Sequence, residues 1–248
     1  MSQVLHRYQD VLWAVDVCLG DGPSERFLLD TGAGLTLLDI KTATQQGLSP
    51  WGRLTGHKMS GQRVDFQQVD PVPLRIGDQQ LDLNGLAVTD LGTLLPPGWP
   101  PVAVVLALDA FHAQAVTLDF ARAALTLESP ESLAARVSTA GALRVRIARQ
   151  AQGASLDLFV RVGGDNQRPT WLEIDSGNTG PTLLAPHSID LLGLSGDGGN
   201  TELVFAEDFR ESAAWEKADI IIDGNLGQSF LNTHALSLDL KSARAWLA

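Results

Sequence analysis

The sequence predicts an all-β protein built as two pseudo-symmetric lobes with a few short helices. Three observations carry that expectation: short apolar runs, turn residues at most of the breaks between them, and an internal repeat relating the two halves. The runs 12–19 (LWAVDVCL), 26–30 (RFLLD), 71–77 (PVPLRIG), 81–88 (LDLNGLAV), 102–108 (VAVVLAL), 115–120 (AVTLDF) and 124–128 (ALTLE) read as strands, because Gly, Asp or Pro interrupts most of them before they reach helical length. Helical patterns are few, over 39–48, 129–137 and 185–194. The second opens on Ser129 with Ser132, rather than Glu, three residues on, which is an incomplete capping box.

The repeat has two landmarks. Residues 171–185 (WLEIDSGNTGPTLLA) lie under 27–39 (FLLDTGAGLTLLD) with one inserted residue, and 226–247 lie under 106–127 without a gap. The first match sets Asp30 against Asp175, an offset of 145; the second sets Asp119 against Asp239, an offset of 120. The second copy is therefore about 25 residues shorter between its landmarks. The expected organisation is an N-terminal lobe over 1–130, a linker over 131–141 and a C-terminal lobe over 142–248.

With 248 residues, 44% of them hydrophobic, the chain can bury a substantial core. A net charge of −11 argues against nucleic acid or an anionic membrane surface as partner, since both would repel it. The single cysteine, Cys18, cannot form an internal disulfide and reads as a small buried apolar side chain. No run approaches the roughly 18 apolar residues of a membrane span, and the first ten residues lack the basic-then-apolar layout of a signal peptide. Localisation leans to the cytoplasm, with a periplasmic or secreted protein the alternative if a leader is removed. The five histidines show no metal-ligand spacing, and neither a phosphate-binding glycine loop nor a G-x-S-x-G elbow occurs, so no metal or cofactor is expected.

Two Asp-Thr/Ser-Gly turns (DTGA at 30–33, DSGN at 175–178), each after an apolar strand and each followed by a matching downstream strand, resemble the aspartic peptidases of the pepsin and retropepsin type. Small, single-chain bacterial retropepsin-like proteins are the nearer resemblance, and it spans residues 12–247. What it implies is a pair of acid-protease-type lobes whose turns meet under a cleft, with Asp30 and Asp175 as catalytic residues. Thr31, Gly32, Ala33, Ser176, Gly177 and Asn178 would form the supporting turns. The expected activity is an aspartic endopeptidase acting on a peptide or protein substrate, with no dimer required because both aspartates lie on one chain. Hydrolysis without a metal or covalent intermediate needs a base and an acid at once, and two crowded carboxyls sharing a proton supply both.

Ala33 stands where pepsin-like turns carry a hydroxyl, so the resemblance implies raised carboxyl pKa values and activity toward pH 5 to 7. Asn178 sits at the same place in the second turn, as a hydrogen-bond donor or as a plain turn residue. A covering hairpin is expected over 54–66, with Met59, Ser60 and Gly61 at its tip, although an ordinary solvent hairpin fits the same residues. Trp99, in the proline loop 94–104, is expected to pack down. Ala107 replaces the glycine kept as Gly227. Glu173 is expected to alternate outward to solvent from the strand before Asp175. The alternative function is an inactive peptide- or protein-binding module on the same fold.

Overall fold

The computed structural model describes residues 2–83, 85–164 and 168–248. Among these, three sheets account for most of the chain, and the helices are short, the longest being Pro130–Val137. A ten-stranded sheet forms the first lobe and a seven-stranded sheet the second. A six-stranded sheet underlies both, in the order Ser2–Val4, Ala124–Leu127, Val116–Asp119, Ala235–Asp239, Arg244–Leu247, Gly141–Leu143. No helix among the described residues is long and apolar enough to cross a membrane.

The lobes repeat one strand pattern. In the first, Leu12–Leu19, Ser24–Leu29, Val104–Leu106, Leu37–Asp39 and Leu86–Thr89 lie side by side. In the second the order is Asp157–Val162, Thr170–Ile174, Gly224–Leu226, Thr182–Leu184 and Phe209–Lys217. The pairings run antiparallel, parallel, antiparallel, parallel in both lobes. The extra length of the first copy includes the Leu74–Ile76/Gln79–Leu81 ribbon at the edge of its sheet.

The pseudo-twofold axis can be located from sequence offsets alone. Val116–Asp119 pairs antiparallel with Ala235–Asp239, and the register sets Thr117 opposite Ser237, two residues separated by the repeat offset of 120. Their buried hydroxyls share a 2.9 Å hydrogen bond. Two equivalent residues can face each other across an antiparallel pair only where the symmetry axis passes between them. Around that seam, Leu118 and Leu236 join the lobe interiors, including Leu29, Leu106, Leu172, Ile174 and Leu226, in one apolar cluster. Each such buried side chain contributes about 1.5–3 kcal/mol relative to exposure.

Local chemistry explains the element ends. Asp39 caps the helix Ile40–Gln45 by accepting from Lys41 N–H, and also accepts from Leu91 N–H. At Pro130–Val137 the capping box is complete after all, because the Ser132 hydroxyl takes the part usually played by Glu and accepts from Ser129 N–H at 2.9 Å. The strand expected over 81–88 divides into Gln79–Leu81 and Leu86–Thr89, with residue 84 outside the described residues. Cys18 corrects another expectation, being only partly buried on a strand that alternates between core and surface. Trp99 packs edge-on to Tyr8, ring centroids 5.6 Å apart.

Candidate functional site

Both Asp-Thr/Ser-Gly turns follow the strand that runs parallel to the partner strand at the centre of its lobe. Asp30 N–H donates to Leu106 O at 3.0 Å and Asp175 N–H to Leu226 O at 3.1 Å, so each aspartate is held at the same point of the repeated unit. The turns close on themselves in the same way, with Gly32 N–H donating to Asp30 Oδ1 and Gly177 N–H to Asp175 Oδ1.

Thr31 and Ser176 then lock the two turns together. Thr31 N–H donates to Ser176 Oγ at 3.0 Å and Ser176 N–H to Thr31 Oγ1 at 2.8 Å. Each hydroxyl passes its own proton to the opposite lobe, Thr31 to Ile174 O and Ser176 to Leu29 O. Both residues are fully buried.

This exchange brings the aspartates face to face. A β-carbon added at Gly32 would fall 2.6 Å from Asp175 Oδ1, and one added at Gly177 would fall 2.6 Å from Asp30 Oδ2. Each carboxyl therefore lies over the other turn's glycine. Gly177→Ala is expected to destabilise the protein by about 1–3 kcal/mol through overpacking, read as a lower urea midpoint. An unchanged midpoint would mean that the turns are free to separate.

Burial first, and then the neighbouring Asp175 charge and hydrogen bond, raise the Asp30 pKa well above its ordinary value, against the Gly32 and Gly177 N–H groups. The direction matches the sequence expectation, but its leading cause is burial rather than the hydroxyl missing at Ala33. Ala33 lines the cleft beside Asp30.

The second turn holds residues that sequence reasoning misplaced or missed. Asn178 does not use its amide on the aspartate: Nδ2 donates to Pro181 O and Asn225 Oδ1, and only its backbone N–H reaches Asp175. Asn225 is the side-chain donor, to Asp175 Oδ2 at 2.7 Å. Glu173 does not face solvent. It is 9% exposed and lines the cleft, because the face of its strand opposite the core looks into the space between the lobes. Burial, then the charges of Asp175, Asp157 and Asp30, push its pKa well up, with Asn225 opposing.

The cleft above the turns has a volume of about 650 Å³. The hairpin Trp51–His57/Arg63–Val69 covers it, turning through Lys58–Gln62, and Met59 and Ser60 line it. Gly61, at φ +80°, makes the tip possible and lies against Ile221 rather than in the cleft. Ile221 N–H donates to Met59 O at 2.8 Å, which ties the hairpin to the second lobe.

Fold and site define an acid-protease-type architecture with paired aspartate turns. No protein-family model matches the chain, and no curated protein sequence matches it. It is similar in structure to basic 7S globulin from soybean, with a TM-score of 0.62 and 9% identity over 100% of this chain and 94% of that one. It is similar also to conglutin gamma, a basic 7S globulin from lupine seeds, with a TM-score of 0.63 and 10% identity over the same shares. At such identity the likeness establishes the fold.

These findings correct two expectations. Membership of the pepsin and retropepsin peptidases is not upheld, since no family model matches and the two similar structures named above are basic 7S globulins. The aspartic endopeptidase activity inferred from that resemblance falls with it, and with it the activity window of pH 5 to 7. The site offers a physical reason. Asp175 accepts from Gly177 N–H, Asn178 N–H and Asn225 Nδ2 and also shares a hydrogen bond with Asp30, and Glu173 adds a third carboxyl to what should be a balanced pair.

Proposed function

We propose that the protein is a peptide- or protein-binding module, an acid-protease-type fold whose cleft holds an extended chain without cutting it. The observation that carries this reading is the covered cleft of about 650 Å³ between the lobes. Trp51–His57 is the edge strand of its sheet, and Gly56 and His57 at its end line the cleft. An edge strand offers N–H and C=O groups to which an extended peptide can add as a further strand, here beyond Thr55, whose N–H already donates to Gln152 Oε1 at 3.3 Å. Asp30 and Asp175 form a polar floor beneath it, and Met59 and Ser60 a cover.

The similarity to basic 7S globulins supports binding over hydrolysis, as do the engaged oxygens of Asp175 and the third carboxyl beside it. The test is fluorescence anisotropy with labelled extended peptides, followed by mass spectrometry of the same samples between pH 4 and 7. Saturable binding with every peptide recovered intact is expected. Fragments that vanish with Asp30→Asn would restore hydrolysis, and the absence of binding to any peptide would remove the proposal.

A further inference from the structure

The two lobes place different side chains in one equivalent slot. In the first, Leu28 pairs across the sheet with Val105, both buried. In the second, Glu173 pairs with Asn225 in the matching register, each displaced from its counterpart by the repeat offset of its segment. The unit is thus stable with an apolar pair there, and the second lobe instead buries an ionisable one. Burying a charged carboxyl without a counter-charge costs several kcal/mol, so this one on the cleft wall holds its proton unless a cation stands beside it.

Glu173 is poorly matched within its own chain. It accepts one long hydrogen bond, from Asn225 at 3.5 Å to Oε2, and its Oε1 has no partner among the described residues. Asp30, Asp175 and Asp157 line the same cleft. Among the described residues no Lys, Arg or His comes within 4 Å of any of the four carboxyls. Lys58 and His57 approach only from the covering hairpin. Arg149 is the nearest cation felt by Asp157, while its guanidinium bonds Ser155 O. Arg146 is occupied by the rings of Phe159 and Trp171, at 5.1 and 4.8 Å.

We infer that the second-lobe half of the cleft is a pocket for an organic cation, the ammonium of a lysine or the guanidinium of an arginine carried by the bound peptide, with Glu173 as its principal partner. Among the described residues no three acidic, His or Cys side chains are grouped to hold a metal ion, so the charge is spread along a wall rather than focused on a point. Phe159, cross-strand neighbour of Glu173, lines the same wall and offers an apolar surface to the stem of such a side chain. Asn225 holds the carboxylates of Glu173 and Asp175 in place from behind.

This inference rests on the peptide-binding reading, and its test separates the two. Peptides identical except at one position, bearing arginine, lysine, citrulline or norleucine there, are titrated against the wild type, Glu173→Gln and Asp157→Asn. The basic peptides are expected to bind at least tenfold more tightly than the neutral ones, and Glu173→Gln, which keeps shape and the Asn225 contact, is expected to reduce that preference to within twofold. Agmatine, a guanidinium without a peptide, is assayed in parallel by thermal shift. Equal binding of basic and neutral peptides would overturn the cation pocket and leave peptide binding standing. No peptide bound, with agmatine stabilising only proteins that retain Glu173, would overturn peptide binding and leave the pocket. Neither bound would overturn both.

Discussion

Thr31→Val is expected to lower the stability of the protein by about 2–6 kcal/mol. The valine fills the same space, so almost nothing is lost in packing. What disappears is one hydroxyl that accepts from Ser176 N–H and donates to Ile174 O, both at 2.8 Å in the fully buried centre. Each orphaned group carries its own desolvation penalty of about 1–3 kcal/mol. Because those groups belong to the second lobe and the lost hydroxyl to the first, the damage falls on the junction between them. Thr31→Ser keeps the hydroxyl and is expected to cost less than about 1.5 kcal/mol, as the loss of one buried methyl does. Urea unfolding of the two variants side by side makes the comparison. A Thr31→Val loss below about 1 kcal/mol would show that water reaches the junction.

This junction was the part of the molecule most legible in the sequence. Two short turns in equivalent places of a repeat leave few geometries other than a twofold meeting point, and the same offsets set Thr117 opposite Ser237 on the axis. The strand at Leu12–Leu19 was readable because its apolar face is continuous. The hairpin Gly198–Ala206/Phe209–Lys217 was not, since only Leu203, Phe205, Ala213 and Trp215 turn inward and charged residues dilute their alternation. The covering hairpin was legible as a hairpin, while the contact of its tip with Ile221 joins residues about 160 apart and had no local signature.

Glu173 and Asn225 escaped for a shared reason. Alternation along a strand says which residues share a face, and the inference that the polar face meets water assumes that nothing else covers it. Here that face looks into the cleft. The gapped alignment already set Glu173 against Leu28, and extending the ungapped one by a single residue sets Asn225 against Val105. A polar residue where its repeat partner is apolar was the available signal. The activity inferred from the turns failed for a different reason, because a constellation of two aspartates fixes a fold junction whether or not the surrounding groups leave an oxygen free for water.

The protein is expected to become more stable as the pH falls from 7 toward 5, opposite to the usual behaviour of carboxylates held in ion pairs. Asp109 is the clearest contributor. Burial raises its pKa from an ordinary 3.8 to about 6, despite hydrogen bonds from the Thr36 hydroxyl and N–H, the Ala110 N–H and the charge of His112. A carboxyl with a raised folded-state pKa binds its proton more tightly in the native protein, so its stabilisation is full below the unfolded value and is lost as pH rises through the folded one. The loss between about pH 4 and 6 amounts to about 3 kcal/mol at most for Asp109, and each kcal/mol is worth about 2–4 °C of Tm at this chain length. Asp30 and Glu173, also raised, act in the same direction. Glu128 acts oppositely: burial pushes it up, but hydrogen bonds from Ser132, Thr117 and Arg136 outweigh that and hold it below 4.5, so its contribution fades as the pH falls through that lowered value. A stability maximum near pH 4 follows, read from thermal melts across pH. Asp109→Asn, which mimics the neutral acid, is expected to flatten the slope between pH 5 and 7. If wild type and variant lose stability in parallel over that range, the Asp109 proton is not what the slope reports.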